Sequence, residues 1–396
     1  MSTGDEISLL KQIEKTVEDI TYTGLTTVSE TTFQRLAAVI NECSSKKYFR
    51  LASTLRVATS ELKKAVTVTS SNGHSKYAFF LNQSWLLSKG LMKAIEDGDK
   101  LLYEKYSGAV LDKKTISTLE IVPIGLEKGL IDNQWLKFTF HFKVISSDEK
   151  ELENSILCWN QMFDTKNSSA KINAERELAN KIKGLNDEYI GEFITSDTIK
   201  LINWDYSPSN NSVSVGDDSS VKFLENSQVS GHLPLFRAKE FMKYLKDLQI
   251  TPLDHAFTFT YWTGFPDVRI KYQNNAKGFT GMFEYESLNI KIDLPRNITN
   301  QTLITRLGTA ISSLNKKIPY FYGILVIDSS ELVFTPLSLV ETGRKGVNDK
   351  FTFLAVDEEK TKNFISEAKN QPSIKSSTDR EKNLALLGGF VGKKKK

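Results

Sequence analysis

The sequence predicts an α+β protein: an N-terminal antiparallel helical bundle followed by a mixed, largely antiparallel sheet domain with a few helices. Three observations carry this. Apolar residues recur at three- and four-residue spacing up to Ile95. The stretch WLKFTFHFKVI (135–145) then alternates strictly, with Leu136, Phe138, Phe140, Phe142 and Val144 on one side and Lys137, Thr139, His141 and Lys143 on the other. Beyond it, strand-like segments come in adjacent runs without regular βαβ alternation.

The helices come first. Leu9, Leu10, Ile13, Val17 and Ile20 make one stripe, and Phe33, Leu36, Ala37 and Ile40 make a second, with Thr31 and Gln34 as the expected capping box. Lys46–Val66 carries Leu51, Leu55, Ala58, Leu62 and Ala65 on one side and Lys46, Lys47, Arg50, Arg56, Lys63 and Lys64 elsewhere. After the breaker Ser70-Ser71-Asn72-Gly73, the residues Tyr77, Phe80, Leu81, Trp85, Leu87, Leu91, Met92 and Ile95 span an apolar arc too wide for a surface helix. That helix should run through the middle of the bundle.

Strands are expected at 117–124, 135–145, 198–204, 256–261, 268–272, 279–285, 288–294, 321–327, 332–335 and 351–356, with a hairpin turn at Asp328-Ser329-Ser330-Glu331. Helices are expected at about 170–185, 237–248 and 299–316. The domain reading is a helical bundle over 1–108, an α+β domain over 109–366 with a mobile loop at 207–220, and a disordered linker with a basic tail over 367–396.

The net charge of the 396-residue chain is +4. Residues 367–396 hold 8 Lys+Arg against 3 Asp+Glu, so residues 1–366 sum to −1 and the basic character belongs to the tail. A body without positive excess argues against general phosphate binding. Two cysteines, Cys43 and Cys158, form no metal spacing and suit a reducing compartment. No secretory signal and no apolar stretch of about 18 residues is visible. The expectation is a cytoplasmic protein without membrane contact.

No catalytic pattern emerges. There is no Gly-x-Ser-x-Gly elbow, phosphate loop, dinucleotide fingerprint or His-Glu-x-x-His. His141, between lysines, is expected on a solvated sheet face. The Asp254-His255 pair reads as a turn, Asp205 with Asp217-Asp218 as a solvated acidic turn, and Glu284 with Glu286 as a solvated strand face. Phe138, Phe140 and Phe142 would suit base stacking, but the lysines of that strand lie opposite, so a core stripe is expected. Trp262 and Phe265, around Gly264-Phe265-Pro266, are the best candidates for an exposed contact patch, although a buried turn is the favoured reading of that stretch. The tail adds Leu384, Leu386, Leu387, Phe390 and Val391 beside Lys393, Lys394, Lys395 and Lys396, a short apolar motif with a cationic rim that suits a partner groove.

Three stretches, TGLTTVSETTFQRLAAVI, RLASTLRVATSELKKA and FFLNQSWLLSKGLMKAI, resemble the N-terminal part of uncharacterised bacterial proteins encoded beside SWIM zinc-finger proteins and MoxR-type ATPases. The resemblance implies an accessory role in a multi-protein bacterial system, with such a zinc-finger protein or ATPase as partner. It transfers no catalytic residue, cofactor or metal. The functional expectation is a non-enzymatic adaptor or scaffold that binds protein partners through its domains and tail. The alternatives are a nucleic-acid-associated protein using the tail and helix 46–66, and an enzyme with an unrecognised site.

Overall fold

The computed structural model describes residues 3–67, 71–108, 113–131, 135–165, 173–185, 187–208, 211–224, 233, 235–247, 261–266, 268–312, 320–328, 331–341 and 350–370. Its N-terminal part is all helical: α1 (Thr3–Thr23), α2 (Glu30–Ser45), α3 (Phe49–Thr67), α4 (Ser71–Glu96) and the short α5 (Lys100–Ser107). The stripes read from the sequence become one core, in which Leu10, Ile13, Leu36, Leu51, Leu55, Leu62 and Leu91 are buried. As its wide arc requires, α4 packs against α1, α3 and α5. The cap of α2 is Ser29 rather than Thr31, with the Ser29 amide donating to the Thr32 hydroxyl. Asp99 caps α5 by accepting the Leu102 amide at 3.0 Å, and Gly108 ends it at φ 68°, the left-handed position that favours glycine.

The first sheet contains β1 (Lys114–Ile131), β2 (Trp135–Ser147), β3 (Ile156–Asp164), β4 (Thr198–Ser207), β5 (Ser212–Ser214) and β6 (Ser220–Leu224). Its order is β1-β2-β3-β5-β4, with β4 pairing back to β1, so the five strands close into a barrel, and β6 pairs with the first half of β4 in line with β5. The β3–β5 contact is parallel and all other pairings are antiparallel. Phe138, Phe140 and Phe142 fill the interior with Trp159 and Trp204. Phe193 of α7 (Glu192–Thr195) plugs one end, 4.6 Å from the Trp159 ring. Of the helix expected at 170–185 the described residues form only α6 (Ala174–Glu177): Asn173 caps its start, and just past its end the Leu178 and Asn180 carbonyls accept the Gly191 and Ile190 amides instead of helical ones, while residues 170–172 lie outside the described residues. The loop expected at 207–220 carries β5, the strand that closes the barrel, and Ser219 pins it by donating to the Asn203 carbonyl at 2.7 Å.

After α8 (Ala238–Asp247) the second sheet follows: β7 (Tyr261–Phe265), β8 (Lys271–Asn274), β9 (Gly278–Tyr285), β10 (Leu288–Pro295), β11 (Tyr320–Asp328), β12 (Glu331–Glu341) and β13 (Lys350–Phe353). Its order is β7-β11-β12-β10-β9-β8, with β13 on β12. Since β7 and β8 are consecutive halves of one interrupted strand, the order repeats that of the first barrel. Again the third strand, β10, runs parallel to the fifth, β12, and a helix, α9 (Gln301–Ser312), connects the third strand to the fourth. Both units therefore have the five-stranded Greek-key arrangement of the OB-fold. The mixed, largely antiparallel sheet domain expected from the sequence is present, and its strands divide into two barrels. The strand expected at 256–261 lies mostly outside the described residues, and the one at 268–272 starts at Lys271.

The barrels are joined by a small core of Val122, Ile124, Tyr322 and Val340. Ile124 occupies a bulge in β1, and its carbonyl accepts the buried Ser338 hydroxyl at 2.7 Å. Gly125 lets Leu337 approach so closely that an added Cβ would meet it at 3.1 Å. The chain then returns to the first barrel. Phe353, Ala355 and Val356 enter its core, and α10 (Glu358–Asn370) lies on α6 and α7, with Lys369 bonded to Glu192 at 2.6 Å. Residues 367–370, expected in a disordered linker, are helical. Residues 371–396 lie outside the described residues.

Candidate nucleic-acid interface

The sites expected from the sequence fare unequally. Phe265 has no exposed surface; it packs in the second barrel against Phe283 and Phe334 and cannot form a contact patch. Trp262 is half-buried at the joint between the barrels, 4.4 Å from the His141 ring and 6.0 Å from Tyr322. His141, expected to face solvent, is buried under Trp262, with Nε2 2.5 Å from Glu127 Oε1. The burial of His141 and of Trp262 has one cause: the face of the first barrel that carries His141 is covered by the second barrel. The tail residues Leu384, Leu386, Leu387, Phe390, Val391 and Lys393 to Lys396 lie outside the described residues.

Glu284 and Glu286 do not share a strand face. Glu286 lies in the β9–β10 turn at φ 45° and accepts the Ala238 amide. Asp205 takes the Thr115 hydroxyl at 3.1 Å and an ion pair with Lys113. Several cations of helix 46–66 are engaged within the bundle. Lys64 pairs with Glu61, Lys63 lies over Phe33 and Arg50 donates to the Lys105 carbonyl. Among the described residues no group of three or more His, Cys, Asp and Glu could hold a metal ion, and no helix is long and apolar enough to cross a membrane.

Two exposed surfaces of the barrels stand out among the described residues. On the first barrel, the end of the β1–β2–β3 face left uncovered holds Ile131, Trp135 and Met162, which are 40%, 38% and 58% exposed. Strand register places Trp135 on the same side as Lys137, so one aromatic does share the lysine face.

The second surface surrounds β8, which among the described residues pairs with β9 alone. Residues 268–283 contain Arg269, Lys271 and Lys277 and no acid; the flanking acids are Asp267 and Glu284. Val268 and Ile270 are buried, so the alternation turns Arg269 and Lys271 outward, and Lys277 lies in the β8–β9 turn. Arg296, just past β10, folds over that turn. Its Nε donates to the Asn275 carbonyl at 3.0 Å and its Nη2 to Asn274 Oδ1 at 2.6 Å. All four cations are exposed, and none has an ion-pair partner among the described residues. The nearest carboxylate on β10, Asp293, is 3.4 Å from Lys291. An open cleft of about 800 Å³ lies beside this group, between β8 and α9, lined by Tyr272, Asn274, Arg296, Ile304 and Gly308 with the Thr305, Thr309 and Ser312 hydroxyls. Sequence reasoning missed the cluster because summed charge hides segregation: Lys291 is neutralised by Asp293 and Glu331 while its neighbours are not.

No protein-family model and no curated protein matches this chain. Among solved structures, the chain is similar to the Ifi202 HINa domain in complex with a 20-bp double-stranded DNA, at 10% identity and TM-score 0.28, covering 61% of this chain and 100% of that one. It is also similar to the p202 HIN1 domain in complex with a 12-mer double-stranded DNA, at 9% identity and TM-score 0.27, covering 61% and 96%. A murine DNA-binding protein bound to double-stranded DNA matches at 10% identity and TM-score 0.25, covering 61% and 97%. Superpositions this loose carry no inference, and the barrel assignment stands on strand order alone.

Proposed function

We propose that this chain is a non-enzymatic nucleic-acid-binding protein that contacts the phosphate backbone around β8 of its second barrel. The observation that carries the reading is the set of four exposed cations, Arg269, Lys271, Lys277 and Arg296, with no ion-pair partner among the described residues. A phosphate chain satisfies such groups directly, and counterion release supplies the driving force. The position fits the chemistry. In OB-type barrels the loop joining the first two strands belongs to the region that meets oligonucleotides or oligosaccharides, and here that loop is the β8–β9 turn bearing Lys277.

The test is fluorescence anisotropy of a labelled 20-mer, single-stranded and as a duplex, across a salt series. Binding should weaken linearly in log–log form, and Lys271→Ala and Lys277→Ala should each reduce the slope by about 1. Absence of binding at about 50 mM salt, where such contacts are strongest, would overturn the reading.

A second reading, a protein-binding adaptor, is favoured by Ile131, Trp135 and Met162. Three exposed large apolar side chains at one end of a sheet face suit a protein surface, and a SWIM zinc-finger protein or a MoxR-type ATPase is the partner class proposed from the N-terminal resemblance. Trp135→Ala should then abolish co-purification with such a partner while leaving nucleic-acid affinity intact.

A further inference from the structure

We infer that the cleft between β8 and α9 receives one unpaired nucleotide, its base stacked on Tyr272 and its phosphate on Arg296, so that the protein prefers single strands to duplexes. This rests on the nucleic-acid reading above and adds a ligand to a cleft that lies beside α9, away from the outward side of β8 that carries Arg269 and Lys271.

The Tyr272 ring is set from behind. It lies on Phe279 with centroids 5.2 Å apart and an interplanar angle of 14°, and its hydroxyl is 3.4 Å from Ser312 Oγ. Yet Tyr272 is 40% exposed and lines the cleft, where a base can reach its ring. Such a platform tolerates any base, because every base has a π-face. Ile304, almost fully buried, gives the cleft an apolar floor.

Gly308 keeps the space open. An added Cβ there would meet only Asn274 Nδ2, at an ordinary 3.6 Å, so packing does not demand glycine. A glycine inside a helix costs about 1 kcal/mol relative to alanine, and what it provides is the missing side chain in the cleft wall.

The polar groups are placed for a nucleotide. Two neutral oxygens hold Arg296 through Nε and Nη2, which leaves Nη1 and the rest of Nη2 to donate to a phosphate. The Thr305, Thr309 and Ser312 hydroxyls spend their protons on the carbonyls of Gln301, Thr305 and Gly308. Toward the cleft they therefore present lone pairs, which suit the exocyclic amino group of cytosine or adenine better than thymine or uracil. The volume of about 800 Å³ falls within the range of about 300–1,000 Å³ usual for small-ligand sites. A duplex, whose bases are paired and stacked, cannot supply this ligand without opening.

The test compares the full chain with Gly308→Leu, Tyr272→Ala and the triple variant Arg269→Ala/Lys271→Ala/Lys277→Ala. Each is titrated against a cytosine-rich single strand, a thymine-only single strand and a duplex, and against a single strand carrying 2-aminopurine as a stacking reporter. Gly308→Leu and Tyr272→Ala should each lose about tenfold in affinity for the cytosine-rich strand, abolish the 2-aminopurine response and leave duplex affinity unchanged. Unchanged duplex affinity also shows that the variants are folded. The inference is overturned if Gly308→Leu binds the single strand like the wild type, or if the wild type binds duplex and single strand equally. The triple variant separates this failure from failure of the underlying reading. If it binds all probes as tightly as the wild type, the phosphate contact around β8 is wrong. If it loses affinity while Gly308→Leu does not, only the nucleotide pocket is wrong.

Discussion

Cys43 lies in the bundle core with no exposed surface, and burial, reinforced by neighbouring Glu42, pushes its thiol from an ordinary 9.0 up to about 12. The protonated form is the one the fold accommodates. The resulting stability is therefore fully present below about pH 9 and is lost as pH rises toward 12. Urea midpoints measured from pH 8 to 11 should fall steadily above pH 9, and Cys43→Ala should flatten that fall. Cys158 is also pushed up by burial, so at pH 8 both thiols should react slowly with a maleimide in the native chain and rapidly in urea. The sequence gives the thiols' identity and spacing only; their reactivity follows from burial by distant segments. At the joint, Ser338→Ala removes the hydroxyl that satisfies the Ile124 carbonyl, a buried acceptor in a bulge with no cross-strand partner. It should cost about 1–3 kcal/mol in denaturant unfolding.

At the scale of elements, the amphipathic helices and the alternating strand β2 were legible because their periods, 3.6 and 2, are written in consecutive residues. Phe138, Phe140 and Phe142 face inward as the alternation requires, and Phe193 closes the aromatic core over them. Phe193→Ala should cost about 3–5 kcal/mol by leaving a cavity among Trp159, Trp204 and Phe142. A shorter element was misread for a definable reason. β5 is three residues long and polar, with only Val213 buried, and its role in closing the barrel comes from partners on β3 and β4. Turn-rich composition around it looked like a loop because composition does not register a non-local pairing. The His141 face was misassigned in the same way: alternation identifies two faces but not what covers the second.

The whole molecule combines a helical bundle with its own core and two barrels, each with a core of its own, joined by a small fourth cluster. No hydrophobic cluster among the described residues contains side chains of both the bundle and a barrel. Residues 3–108 alone should therefore unfold cooperatively, as a helical circular-dichroism signal lost in a single melting transition. The barrels should not separate so cleanly. Phe353, Ala355 and Val356 complete the first barrel's core from beyond the second, and Gly191 allows α10 so near that a Cβ would lie 2.6 Å from Thr361 Cγ2. Ending the chain at residue 349 should lower the melting temperature of the first barrel and expose Phe193 and its neighbours to a hydrophobic dye.

By itself the sequence determined the α+β class, the bundle, the inward phenylalanine stripe and the β11–β12 hairpin, because each depends on periodicity or turn residues within a short span. Tertiary structure decided the rest. The division of the strands into two barrels follows from parallel contacts between segments 54 and 42 residues apart, Cys158 with Ser212 and Ile290 with Leu332. The cationic surface follows from Arg296 folding back onto the turn that bears Lys277, in a body whose charges nearly cancel when summed along the chain. Charge acts through distance, and folding sets the distances between residues this far apart in sequence.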